Sequence, residues 1–229
     1  MKICAISDLH GTLPELPDGI DLLLICGDIA WEETIKKEEK WFIEKFNPWV
    51  TKLNIPTIYI GGNHDFYLEK YKANDVGIYL ENKYHNFNGI NIFGTPLSLE
   101  VGPWVWQAKE DDIDNVLRGV KCDILMSHGP AYGYGDRVIN YNLWESVGSF
   151  ALRDWISNFQ PKLVIHGHIH SGFGCYRLGE TIILNCAITN DNLRPTNKLF
   201  CINWNLEKNN IDTINEFNGL TSKYTKIYH

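Results

Sequence analysis

"KICAISDLHG", residues 2–11, carries an apolar run straight into a carboxylate and an imidazole, Asp8 and His10. The run Ile3–Ile6 shows no alternation. A strand covered on both faces reads this way, and such strands belong to sheets flanked by helices. The polar pair falls where the strand ends. Outward from this stretch the same unit recurs. "DLLLIC" (21–26) ends in Gly27-Asp28, and "TIYI" (57–60) in Gly61-Gly62-Asn63-His64-Asp65. "DILMS" (123–127) ends in His128-Gly129-Pro130, and "KLVIHG" (162–167) in His168-Ile169-His170. In open α/β sheets the C-terminal edge of the strands is where ligands bind.

Between these strands lie helical patterns. Ile35, Phe42, Phe46 and Trp49 share one face; Ile113, Val116, Leu117 and Val120 follow i, i+3, i+4, i+7, as do Leu152, Trp155, Ile156 and Phe159. "INIFG" (90–94) is a further strand, and "CYRL" (175–178), "TIILNCA" (181–187) and "KLFCINWN" (198–205) read as a closing β meander. The fold class is therefore α/β, as a single domain over residues 1–229. The final residues, ending "TSKYTKIYH", are expected to be loosely held.

The chain has 229 residues, 44% hydrophobic and 21% charged, with a net charge of −7. That balance is globular. It argues against a strong grip on nucleic acid or an anionic membrane. The first apolar run breaks at Asp8, too early for a signal peptide, and no later run reaches transmembrane length. Cys4, Cys26, Cys122, Cys175, Cys186 and Cys201 form no C-x-x-C pair. They read as buried, reduced thiols of a cytoplasmic protein.

Each polar block alone has a bland reading: a turn, a cap, a histidine with a satisfied ring. All five would have to be bland at the same sheet edge. Oxygen and imidazole ligands without thiolate suit Mn²⁺, Fe or Zn²⁺. A carboxylate can bridge two ions, and two ions ~3.5–4 Å apart clamp the attacking and leaving oxygens of a phosphoryl displacement. His166, His168 and His170 alternate, which would place all three on one strand face.

In order, the blocks D-x-H, G-D, G-N-H-D, a lone histidine before glycine, and G-H-x-H resemble the signature of the calcineurin-like metallophosphoesterases. "GTPLSLEVGPWVWQ", "SHGPAYGYGD", "PKLVIHGHIHSGFG" and "ILNCAITNDNLRPTN" are similar to the metallophosphoesterase-domain-containing branch, with which cyclic-nucleotide phosphodiesterase activity is associated. The resemblance implies a four-layer α-β-β-α sandwich of two mixed sheets. It implies two divalent ions, manganese ahead of iron or zinc. The first would take Asp8, His10, Asp28 and His170, and the second Asp28, Asn63, His128 and His168, with Asp28 as the bridge. A bridging hydroxide would be the nucleophile. His64 would be the catalytic general acid or charge stabiliser, and Asp65 would orient it. His166 matches no required ligand and is expected to be a buried neutral ring with a hydrogen-bond partner.

The expected substrate is a small phosphodiester or nucleotide. Trp104, Trp106, Tyr132 and Tyr134 are candidates for a base-stacking wall, the two tyrosines favoured for their nearness to His128 in sequence; packing under long loops is the alternative. A phosphomonoesterase or protein phosphatase would use the same metal centre. A nuclease would add a basic groove, and a non-catalytic interaction module would have lost a ligand block. Oligomeric state is not legible.

Overall fold

The strand Lys2–Ile6 lies at the middle of a seven-stranded sheet. The computed structural model describes residues 1–229 apart from 32–33, 73–75, 219–222 and 229. Lys2–Ile6 pairs in parallel with Leu22–Cys26, which continues to Thr57–Ile60 and the short Ile78–Tyr79. On its other edge it runs antiparallel to Leu199–Asn205, followed by Asn210–Asn218 and Lys223–Tyr228. A second sheet orders Gly174–Leu178, Thr181–Asn185, Leu163–His166, Ile124–Ser127, Ile90–Thr95 and Lys83–Phe87, with parallel pairing in its centre and antiparallel edges. Both sheets are mixed.

Alternation within the apolar strands sorts the layers. Ile3, Ala5, Leu22, Leu24, Ile124, Met126, Leu163 and Ile165 share one core between the sheets. Cys4, Ile6, Leu23 and Ile25 point the other way, onto Phe42, Phe46, Val50 and Leu68. Leu125, Val164 and Ile183 do the same on the second sheet, meeting Ile113, Leu117, Leu152, Trp155 and Ile156. Strands covered on both faces need no alternation with polar residues, which is why their sequences read as unbroken runs. The result is helix, sheet, sheet, helix. Each such buried side chain stabilises the fold by about 1.5–3 kcal/mol.

The helical face of Ile35, Phe42, Phe46 and Trp49 is built differently from a plain α-helix. Ile35–Trp41 and Asn47–Leu53 are α-helical, and Phe42–Phe46 between them is a widened π turn. Pro48 lacks the N–H that an α-helical ladder would need there, and the wider turn accommodates it. Phe159, at the end of Phe150–Phe159, is 44% exposed and does not join the buried face of Leu152, Trp155 and Ile156.

Three expectations are corrected. The closing strands are not one meander: Gly174–Leu178 and Thr181–Asn185 pair in the second sheet, while Leu199–Asn205 crosses to the first. The C-terminal segment is not loose throughout: Lys223–Tyr228 is an edge strand registered on Asn210–Asn218, while 219–222 and 229 lie outside the described residues. The cysteines are free, but Cys175 is exposed and Cys122 half-buried, because each sits nearer a surface than the central strands. Among the described residues no helix is long and apolar enough to cross a membrane.

Candidate metal centre

Five strand ends converge. Asp8 follows Lys2–Ile6, and its N–H donates to the Gly27 carbonyl; the His10 N–H donates in turn to the Asp28 carbonyl. The two loops are thus laced together, and both turn sharply. Asp8, His10, Asp28 and His168 all have positive φ, at 54°, 40°, 49° and 67°. Side chains other than glycine avoid this region at a cost of about 1–3 kcal/mol each, so the surrounding bonds must hold them there. Ser7 Oγ donates to the Cys26 carbonyl and Thr189 Oγ1 to the Asp8 carbonyl.

Two groups of side chains have the geometry to hold a metal ion: Asp8, His10 and His170, and Asp28, His128 and His168, with the ligand atoms of each group within 4.8 Å of one another. In the first, His170 Nε2 lies 3.2 Å from both Asp8 Oδ1 and His10 Nε2. In the second, Asn63 Oδ1 lies 2.9 Å from His128 Nε2 and 2.7 Å from His168 Nδ1. Asp28 stands between the groups, with Oδ2 3.7 Å from His10 Nε2 and Oδ1 3.4 Å from His128 Nε2. Asp8, His10, Asp28, Asn63 and His128 are buried. Buried carboxylates and imidazoles crowded this closely suit a cation, and the mixed nitrogen and oxygen set fits a divalent transition ion.

The electrostatics follow the same division. Burial pushes Asp28 up, but the charge and hydrogen bond of His128, helped by His10, hold its carboxyl well below the usual range. Burial likewise opposes, and His170 overcomes, the ionisation of Asp8, which ends below its ordinary value. Burial disfavours the charged form of His128, yet Asp28 raises it to about 9. Its hydrogen bonds agree: Nδ1 donates to the Cys26 carbonyl at 2.8 Å while Nε2 donates to Asn63. Burial, then the His128 charge, lowers His168 to about 4.

Outer contacts aim the ligands. His170 Nδ1 donates to the Asn190 carbonyl at 3.0 Å, and the His168 N–H donates to both Asp8 oxygens. Such partners fix ring orientation at metal sites. Two glycines are required by close approach. A Cβ on Gly62 would collide with Asp28 and the His128 ring, and one on Gly167 with Asp8 and Ser7.

His64 sits at the rim. Its ring centroid is 5.3 Å from His10 and 4.1 Å from Trp104, and the His64 main-chain N–H donates to Asp28 Oδ1 at 2.8 Å. Asp65 does not take up the expected role of orienting the His64 ring. Its buried carboxylate accepts N–H groups from Ile29, Ala30 and Gly62 at 2.9–3.1 Å, pinning the backbone on either side of Asp28. Burial and the Asp28 charge push it up to about 7.

The aromatic expectation also changes. Trp104, not a tyrosine, touches His64. Tyr132 stacks on Phe150 with centroids 4.0 Å apart, and Tyr134 packs on the outer helical layer. Trp106 packs beneath, with its ring on Gly61. The three histidines do not share a strand face, because the strand ends at His166 and His170 begins a short 3₁₀ turn. His166 is fully buried and held neutral, with burial lowering it to about 4. Its Nδ1 is 3.3 Å from the Gly167 carbonyl, and its Nε2 has no partner among the described residues, so the ring is only half satisfied. Ser7, Asn190 and the Cys26 carbonyl were not legible as site groups: two act through main-chain oxygens, which carry no side-chain signal.

Comparison with known proteins agrees with this geometry. A family model described as calcineurin-like phosphoesterase matches residues 1–172. Metallophosphoesterase domain-containing protein 1 of Homo sapiens is 29% identical over 237 residues, covering 86% of this chain and 68% of that protein. A UPF0046 protein of Caenorhabditis elegans is 33% identical over 127 residues, and the chain spans only 31% of its length. The structure of a purple acid phosphatase from yellow lupin superimposes with a TM-score of 0.59 at 12% identity, over 99% of this chain and 52% of that one. The last likeness is one of fold alone.

Proposed function

The chain belongs to the calcineurin-like phosphoesterase family, and from that premise we propose that it is a dinuclear metal-dependent phosphodiesterase, with cyclic nucleotides as the foremost substrate class. Asp28 carries the reading. A single carboxylate that offers one oxygen to each of two ligand groups is what a shared ion pair requires. A single catalytic domain in the cytoplasm and manganese as the working metal belong to the same proposal.

Two divalent ions, when bound, would neutralise the phosphoryl oxygens and bring the ionisation of a water toward neutral pH. Asp8, His10 and His170 would hold one ion and Asn63, His128 and His168 the other, with Asp28 placed to serve each. His64 gives a proton to the departing alkoxide from the rim, and the Trp104 ring against it restricts the imidazole. Asp65 acts at a distance by keeping the Asp28 loop in its left-handed turn. The aromatic surface beside His64 suits an organic ester arm.

Protein loaded with Mn²⁺ is assayed on bis-p-nitrophenyl phosphate, p-nitrophenyl phosphate and cyclic nucleotides at equal concentration. Diesters should be turned over faster. A clear preference for the monoester or for phosphoproteins makes it a phosphatase instead. Asp28→Asn should lower the content of both ions; two ions retained at full affinity would remove Asp28 from the shared position.

A further inference from the structure

The hairpin Arg137–Asn140 and Leu143–Ser146 has no part in the metal chemistry, yet it stands beside it. Its turn is Tyr141–Asn142, both at positive φ (45° and 65°), as a two-residue type I′ hairpin needs. Its base is tied to the ligand-bearing turn. Ser171 Oγ donates to the Arg137 carbonyl at 2.9 Å, and Asn185 Nδ2 donates to both the Gly135 and Ile169 carbonyls. The arm is therefore fixed at its base, next to the turn that carries His170, and its apolar side chains are left in solvent: Ile139 is 63% exposed and Trp144 59%. These two are directly opposite in the register, so their side chains lie on one face. Val138, Ile139 and Trp144 close one side of a hollow of ≈ 390 Å³ whose other side is His168, Ile169, His170 and Asp191. That volume is in the range of small-molecule sites, about 300–1,000 Å³. Exposed Trp and Ile on a tethered arm facing two imidazoles of the centre are better explained by a ligand than by packing.

We infer that Trp144, backed by Ile139, is the specificity wall of the centre: it stacks on the planar aromatic ester group of the substrate while the phosphoryl group lies at the metals. This rests on the phosphoesterase reading of the same centre and names which part of the substrate is selected. An indole face accepts any flat ring. Selection is thus for an aryl or nucleobase arm over an alkyl one.

The test is equilibrium binding, by calorimetry, of phenylphosphonate and methylphosphonate to the Mn²⁺-loaded protein, beside Trp144→Ala and Trp144→Phe. Neither substitution touches the core, and melting temperature checks that. Stacking of this kind corresponds to about 5- to 150-fold in affinity. The native protein should bind the phenyl compound at least ~5-fold tighter, Trp144→Ala should bind both alike, and Trp144→Phe should retain most of the preference. Absence of a preference in the native protein, its persistence in Trp144→Ala, or binding of neither compound with two ions present each overturns the inference. Turnover of methyl p-nitrophenyl phosphate, whose second arm is too small to stack, tests the diesterase reading separately.

Discussion

The main-chain N–H of His168 donates to both carboxylate oxygens of Asp8, at 3.0 Å each. Asp8 belongs to one ligand group and His168 to the other, so the two halves of the centre are mechanically joined. His168 is held at φ 67°, which needs such a restraint. Asp8→Ala should therefore weaken both ions, whereas His10→Ala should weaken one. Asp8→Asn, which keeps an oxygen for the N–H, should fall between. Elemental analysis and Mn²⁺ titration read this directly; an Asp8→Ala protein holding one ion at native affinity would show the halves to be independent.

His64 and Asp65 are adjacent in sequence but do different work. His64→Ala should leave both ions bound and reduce turnover by roughly 10²–10⁴-fold, as for a lost general acid. The loss should be smaller for a nitrophenolate leaving group than for a nucleoside alkoxide. Asp65→Ala removes the acceptor of the Ile29, Ala30 and Gly62 N–H groups. Leaving a buried N–H without its acceptor costs about 1–3 kcal/mol. That variant should melt earlier and bind metal more weakly. Unchanged melting would mean that water replaces Asp65 without cost.

Proton and metal compete at His128. Both its nitrogens donate in the absence of metal, and Asp28 holds its pKa at about 9 against the burial that would lower it. An ion at Nε2 displaces that proton, so affinity should rise with pH toward about 9, by up to about tenfold per unit. Without metal the sign reverses. The folded value lies above the ordinary 6.5, so the stability His128 lends is full below 6.5 and is lost as pH climbs through about 9. The metal-free protein should melt progressively earlier across that window and the loaded protein should not. Mn²⁺ affinity that stays flat from pH 6.5 to 9 would show that His128 is already neutral.

Residues 166 and 167 should respond in opposite ways. His166→Phe replaces a buried ring whose Nε2 lacks a partner, so it should spare metal affinity and cost little stability. Gly167→Ala would drive a methyl group into Asp8 and Ser7 and should strip the first ion. Metal analysis of the two proteins side by side decides; loss of an ion from His166→Phe alone would reverse the reading.

Much of this was legible in the sequence because strand burial and ligand placement leave coarse signals. "KICAIS" and "DLLLIC" read as doubly covered strands, and the Asp, Asn and His blocks following them do meet. What escaped was local. The π turn at Phe42–Phe46 preserves an apolar face that α periodicity imitates. Asp65 could not be separated from a histidine-orienting carboxylate, since its partners are main-chain N–H groups. Tyr132 is near His128 in sequence, but the chain turns it onto Phe150. The hairpin at 137–146 is polar and apolar by turns and gives no sign of the hollow it borders.

Lys2–Ile6 is flanked on one side by Leu199–Asn205, almost two hundred residues later in the chain. Every ligand of the centre has been synthesised by residue 170, yet until residue 205 emerges the strand that carries Asp8 and His10 has an open edge. Pairing across so long a stretch of chain is slow to form. A chain that extends past residue 170 but not to 205 would thus carry the full set of ligands on a sheet still open to pairing with another chain.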